Sequence, residues 1–424
     1  MTAVQRLRGT ADWLPQDLPR LRRAEQAGLA VARAFGYGEI ATPVIEPTEL
    51  FTRGVGDTTD IVTHQMYTFT DLGGRSVSLR PEGTAAVLRA FAESSLRQAP
   101  RPVRLAYAGP MFRHDRPGRG RFRQFHQLGV EAIGEADPEL DAEVIAVAWD
   151  WLRRLGIEGT TLALNSIGDA TCRPLFRAAL LAHLAPHRDR LAPLDRERLG
   201  RNPLRLLDSK DASLRAILAS GPQIAAFLCP ACRDALARVE AGLRAYGIPY
   251  QVEPQLVRGL DYYVRTTFEV WHQSLEGAQN ALLGGGRYDG LLATLGFPDA
   301  PGVGFAAGLE RIALLTGMPP ADGSGTVAVC SIGAAAVAAA IRLGTALRGR
   351  GLVVVADVGP RSARAKLRGA DGQGAAVACL LGDDELRDAT VTVRDLRAQR
   401  QERVAVADAP DRVAATLAAG AAAG

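Results

Sequence analysis

The run PPADGSG at 319–325 limits the folding of this chain more than any other feature. Two prolines followed by closely spaced glycines oppose both helix and strand propagation, so a boundary is expected there. A chain of 424 residues also exceeds one ordinary core, which predicts two or three domains. After the break come TVAVCSI, an alanine-rich helical stretch, LVVVAD, a helical pattern from near Ser362, AAVACLLG and TVTVRDL. Strands alternating with helices predict a small separate α/β domain over 326–424, with 319–325 as its linker.

The texture of 1–318 is different. A helical spacing from Pro19 to Ala34 stops at Gly36, Gly38 and Pro43. Strand-like runs follow at Ser76–Leu79, Val103–Ala108, Gln127–Ile133 and Thr161–Asn165, with helix-like segments at Gly83–Ser95 and Pro138–Leu155 between them. This order predicts an α+β body, an antiparallel sheet with helices packed on it. Between Cys172 and Tyr246 the strand signal fades, so 172–246 reads as a helical insertion. In LVRGLDYYVRTTFE (256–269), Tyr262 onward alternates like a strand with one buried face, leaving Arg258, Asp261 and a second tyrosine at its mouth. A helix is expected after Gly308, ending near Gly317.

Fifty Lys and Arg against 46 Asp and Glu leave a net charge of +4, too small to require a polyanionic partner but compatible with local basic surfaces. Seven of those cations fall between Arg342 and Arg368, against the single acid Asp357. No signal peptide or apolar run of membrane-spanning length is evident, so a cytoplasmic protein without a membrane partner is expected. Five cysteines in so long a chain do not make a disulfide framework. CPAC at 229–232, with Cys172 upstream, has zinc-like spacing at one end only. No fourth ligand is evident, so no metal ligand is assigned.

The segment FRHDRPGRGRFRQFHQ (112–127) holds Arg113, Arg116, Arg119, Arg121 and Arg123 with one acid, Asp115, and its proline and glycines make it a loop between strands. It suits a solvated basic hairpin, or a polyphosphate clamp in which Phe125 offers a flat surface to a base. LLGGGRYDGLL, with Gly284, Gly285 and Gly286 in succession, permits close backbone approach or a tight turn, and is neither a Walker loop nor a dinucleotide fingerprint. GVGFAAGLERI leads small residues into a helix whose first turn carries Glu310 and Arg311, either exposed or facing a cleft. In PEGT (81–84), Glu82 and Thr84 either serve a helix N-terminus or recognise an ammonium group.

Taken together, RGTADWLP, ATPVIEPTELF, FTRGVGDTTDIV, LRPEGT, the arginine loop, RGLDYY, GGGRYDGL and GVGFAAGLERI resemble the bacterial histidyl-tRNA synthetases, class II aminoacyl-tRNA synthetases, over essentially the whole chain. The resemblance implies a homodimer, with Pro43 in the segment forming the subunit contact, a class II catalytic domain over 1–318 and an anticodon-binding domain over 326–424. It implies histidine, ATP, Mg²⁺ and the cognate tRNA as ligands. For the reaction it implies Arg258 and Arg113 as catalytic cations. For histidine it implies Glu82, Gly83, Thr84, Arg113, Gln127, Glu131, Arg258, Tyr262 and Tyr263, with Glu131 and the tyrosines at the imidazole. For ATP it implies Arg113, Asp115, Arg121, Phe125 and Arg311. Val264 and Asp115 depart from the family's more usual Thr and Glu. The rival resemblance is to the non-catalytic, histidine-binding regulatory subunit of ATP phosphoribosyltransferase. The joint presence of Arg113, Arg258 and Arg311 with a complete C-terminal domain weighs against it.

Overall fold

The computed structural model describes residues 3–56, 59–209, 211–258, 260, 262–275, 280–318 and 325–422. Two compact units divide the chain, Met1–Pro319 and Pro320–Gly424. Residues 319–324 of the expected linker, and Asp261, lie outside the described residues.

The first unit contains β1 (Gly38–Glu39), β2 (Ile45–Pro47), β3 (Tyr67–Thr70), β4 (Ser76–Leu79), β5 (Val103–Phe112), β6 (Gln124–Ile133), β7 (Thr160–Ser166), β8 (Tyr250–Val252), β9 (Val264–His272), β10 (Ala281–Arg287) and β11 (Gly302–Gly308). Eight of them form one sheet in the order β1-β5-β6-β11-β10-β9-β7-β8, and the other three form a small sheet in the order β2-β4-β3. The six central strands of the large sheet are antiparallel to their neighbours, and only the edge pairs β1/β5 and β7/β8 are parallel. On one face the helices Leu18–Ala34 and Glu139–Arg154 bury Leu21, Val31, Ile145 and Trp151 against Leu128, Phe268 and Phe305. Trp151 is held there by its indole N–H, which donates to the Ala24 carbonyl at 3.0 Å.

The insertion consists of the helices Arg173–Leu184, Pro193–Arg201, Ala212–Ala219 and Pro230–Ala245, with short single turns between them. Its apolar residues, among them Phe176, Leu180 and Leu218, share a second core with Tyr107, Tyr263 and Tyr288. The strand expected from Tyr262 begins two residues later, at Val264. A bulge follows directly: Arg265 adopts φ 52°, and the register slips between Thr267↔Gly286 and Val264↔Arg287. Tyr262 and Tyr263 precede the ladder.

In the second unit β12 (Thr326–Ser331), β13 (Val354–Asp357), β14 (Ala375–Leu381), β15 (Thr390–Asp395) and β16 (Arg400–Ala405) form one sheet in the order β13-β12-β14-β15-β16. Lys366, counted above with the basic surface, is not part of it. Its ammonium is buried and donates to the carbonyls of Ser331 at 2.6 Å and Asp357 at 2.7 Å. The other six cations of that segment are exposed.

One buried ion pair ties the large sheet to its helices. Arg287, at the end of β10, and Asp141, in the helix Glu139–Arg154, are each 1% exposed and meet at 2.5 Å. The remaining guanidinium protons go to Asp289 and to the carbonyls of Glu135 and Asp137, each at 3.1 Å. Arg287→Met should cost about 3–5 kcal/mol, because it leaves the Asp141 carboxylate buried without a partner. The double variant with Asp141→Leu should recover most of that loss. Denaturant midpoints of the three proteins decide the point, and a single-variant cost below about 1 kcal/mol would count against an anchoring role.

Candidate active site

Two cavities open over the middle of the large sheet. The larger, about 800 Å³, is bordered by Arg113, Asp115, Arg121, Phe125, Glu269 and Arg311. The smaller, about 290 Å³, is bordered by Glu82, Thr84, Tyr262 and Tyr263. Arg113, Gln127, Val257, Arg258, Gly284 and Ala306 border both, so the cavities meet along one seam.

β5 and β6 hold the arginine loop between them, and Arg113 leaves it at the seam, where Nε donates to the Pro81 carbonyl at 2.7 Å. Its guanidinium lies 5.3 Å from the centre of the Phe125 ring. Burial lowers the Arg113 pKa from its ordinary value, against the pull of Glu82. Arg121 pairs with Asp115 in the same loop. Arg311, on the helix Leu309–Leu315, does face the cleft, and donates to the Ala281 carbonyl at 2.7 Å. Beside it Glu310 is committed inward, accepting from the backbone N–H of His126 at 2.9 Å.

Arg258 reaches the seam over β10 and pairs with Glu269, whose other oxygen accepts from the Trp271 indole at 2.7 Å. Burial lowers the affinity of Arg258 for its proton, but the charge of Glu269, the nearby Tyr263 and Tyr262 and the hydrogen bond to Glu269 together outweigh burial and raise the pKa overall. The triple glycine is a strand here, not a turn. Its first member makes the room: a Cβ on Gly284 would stand 2.3 Å from Arg258 Nη1. Arg258 Nε and Gln127 Oε1 are both buried without a hydrogen-bond partner among the described residues. Such groups are costly unless a ligand or water completes them.

At the smaller cavity Glu82 serves the helix Thr84–Glu93, accepting from the backbone N–H groups of Thr84 at 2.7 Å and Ala85 at 3.0 Å, while also bordering the cavity. Gly83 and Glu131 border neither cavity. Glu131 is fully buried one layer deeper, accepting from the hydroxyls of Thr84 at 2.7 Å and Tyr288 at 2.5 Å. Gly304, opposite it on β11, leaves the space its carboxylate fills. The rings of Tyr262 and Tyr263 lie 4.6 Å apart, and Tyr288 meets Tyr262 edge-on at 5.9 Å. Burial raises the pKa of all three phenols, so they are neutral donors.

The sequence reading did not single out Tyr107, Tyr288 or Glu269. Tyr288 stands inside GGGRYDGL and Glu269 ends the segment 256–269, so both lay within motifs already quoted. Tyr107 carries no such signal.

Burial pushes the Glu131 pKa from 4.5 up to about 8. The unfolded chain therefore ionises this group first, and the fold loses stability as pH rises through the interval between those values. Glu131→Gln removes the effect. From about pH 5 to about pH 8 the parent should lose on the order of 1–3 kcal/mol more stability than the variant. Identical pH dependence of the two in denaturant titrations would show that Glu131 ionises freely in the fold.

Residues 9–312 match the family model described as histidyl-tRNA synthetase, and residues 326–416 the model described as anticodon binding domain. The histidine–tRNA ligase of Moorella thermoacetica is 47% identical over 412 residues, 96% of this chain and 97% of its own length. The crystal structure of apo histidyl-tRNA synthetase from S. aureus superposes with a TM-score of 0.80 at 34% identity, covering 97% of this chain and 99% of that one. A Bacillus halodurans protein described as an ATP phosphoribosyltransferase regulatory subunit/histidyl-tRNA synthetase has a TM-score of 0.64 at 22% identity over 90% of this chain and 98% of its own, a likeness of fold alone. By its sequence over nearly its full length and by both of its units, the chain belongs to the histidyl-tRNA synthetase family.

Proposed function

We propose that the chain is a histidine–tRNA ligase, which joins L-histidine to ATP as histidyl-adenylate and then passes histidine to the 3′ end of its tRNA. The observation that carries this reading is the seam: a nucleotide-sized cavity and an amino-acid-sized one meet at Arg113, Gln127 and Arg258.

In the first step a carboxylate oxygen of histidine attacks the α-phosphorus of ATP, the bond to the bridging oxygen breaks, and pyrophosphate leaves. Two anions must approach each other, and no protein nucleophile is required. Arg113 and Arg258 hold the α-phosphate and the carboxylate in line and offset the charge that develops between them. Phe125 stacks on adenine, Arg311 takes the γ-phosphate, and Asp115 and Arg121 shape the loop around the triphosphate. Glu82, Thr84 and Gln127 receive the α-amino end, with Gly83 as the turn that sets Glu82 and Thr84 in place. Tyr262 and Tyr263 flank the imidazole, and Glu131 acts on it through the hydroxyl of Thr84. A polar site of this kind rejects apolar mimics by roughly 10⁴–10⁵, because the mimic leaves buried groups unpaired.

Mg²⁺ enters with ATP as part of the substrate. Asp115, Glu269 and Glu310 border the larger cavity but are engaged with Arg121, Arg258 and His126, which fits an ion carried mainly by phosphate oxygens. In the second step the terminal ribose hydroxyl of the tRNA attacks the activated carbonyl and AMP leaves. The second unit presents Arg342, Arg348, Arg350, Arg361, Arg364 and Arg368 for backbone phosphates of the anticodon arm. Homodimer formation is supported by the small sheet, where register places Ile45, Pro47, Tyr67 and Phe69 on one face. Ile45 is 51% and Phe69 45% exposed there. No helix among the described residues is long and apolar enough to cross a membrane, consistent with a cytoplasmic ligase.

Histidine-dependent ATP–pyrophosphate exchange, followed by charging of purified tRNA, tests the whole reading. Exchange without charging would restrict it to adenylation, and histidine binding without exchange would favour the regulatory-subunit reading. Arg258→Ala should lose about 10²–10³ in exchange while keeping the parent's circular dichroism. Gly284→Ala should lose exchange with little change in melting temperature, since only the flexible end of Arg258 has to move. Parent-like exchange in both variants would remove Arg258 from the mechanism.

A further inference from the structure

CPAC and Cys172 acquire a fourth partner in the fold. The Sγ atoms of Cys172, Cys229 and Cys232 and a carboxylate oxygen of Asp169 all lie within 4.8 Å of one another. We propose that these four residues bind a structural zinc ion that clasps the two ends of the helical insertion.

The geometry is that of a closed site. In a tetrahedral zinc site with Zn–S near 2.3 Å, neighbouring ligand atoms stand about 3.8 Å apart, so only small side-chain adjustments separate this cluster from a bound one. Cys172 and Cys232 are buried, and all the chain's cysteines are unpaired. A disulfide would use two of the three thiols and leave Asp169 idle, whereas one ion uses all four groups. The surroundings are already arranged for such ligands. The backbone N–H of Cys229 donates to Cys172 Sγ at 3.0 Å, and Asp169 accepts from the N–H groups of Thr171 at 2.9 Å and Cys172 at 3.3 Å. These bonds orient the ligands and offset the negative charge of three thiolates and a carboxylate. Thiolates select zinc over magnesium or calcium, and binding releases the thiol protons.

The position gives the ion a purpose. Asp169 and Cys172 follow β7 where the insertion begins, and Cys229 and Cys232 start its last helix, Pro230–Ala245. The turn at the clasp is paired to β9, with Ile167 N–H donating to the Arg265 carbonyl and Arg265 N–H to the Gly168 carbonyl, each at 2.8 Å. Arg173, next to Cys172, donates to the carbonyl of Tyr263. A metal here would therefore fix the root of the insertion against the wall of the smaller cavity.

Elemental analysis of the full-length protein, purified without chelator, should give about one zinc per chain. Replacement by Co²⁺ should produce a thiolate-to-cobalt charge-transfer band in the near ultraviolet. Cys229→Ser and Cys232→Ser should each weaken that band by at least about a third and lower the melting temperature, while Cys330→Ala, in the other unit, should leave both at the parent's values. Asp169→Asn should shift the cobalt spectrum. If the serine variants fail to fold, the parent's metal content and cobalt spectrum still decide. A parent with five titratable thiols that takes up neither equimolar zinc nor equimolar cobalt would overturn the proposal, as would a cobalt spectrum without the thiolate band.

Discussion

The placement of the site depends on the buried contact between Arg287 and Asp141. β10 contributes Gly284 to the seam and leads directly into Tyr288, yet a glycine-rich strand has little side-chain surface with which to fix its own position. The ion pair supplies that fixation by fastening the end of the strand to the helix Glu139–Arg154 behind the sheet. In low dielectric an unmatched charge at either end is far more costly than the pair is stabilising. The contact therefore specifies where the strand lies more than it adds to stability.

With the sheet fixed in this way, polar groups can sit where a core would otherwise be apolar. Glu131 is enclosed by Thr84, Tyr288 and the bare backbone of Gly304, and Arg258 lies across Gly284 against Glu269. Each small residue is the counterpart of a large polar one on the neighbouring element. Two guanidinium groups can share a seam because Glu269 pairs with one and Glu82 offsets the other electrostatically.

The mixed sheet-and-helix class, the insertion and the alternating second unit were legible from periodicity, since each rests on apolar spacing that local sequence carries. The candidate site was legible chiefly through motifs. Arg113 stood out in the arginine loop, Arg258 at the mouth of a strand and Arg311 in the first turn of a helix after small residues, and the fold brings all three to the larger cavity. What escaped the reading depended on contacts distant in sequence. Nothing near Lys366 tells that its ammonium is spent on Ser331 and Asp357, and nothing near CPAC points to Asp169, 60 residues from Cys229. Strand β16 reads RQERVA, almost without apolar residues, because it is an edge strand with little to bury. The bulge near the start of β9 carries a positive φ at Arg265, a conformation that arginine does not advertise.

Because the two cavities share Arg113, Gln127, Arg258 and Gly284, the ligands proposed for them meet the same groups. Whatever ordering of these shared groups one occupant brings about is inherited by the other. Reciprocity then requires that each raise or lower the other's equilibrium affinity by the same factor. A common wall is thus a route for thermodynamic linkage between the two proposed substrates.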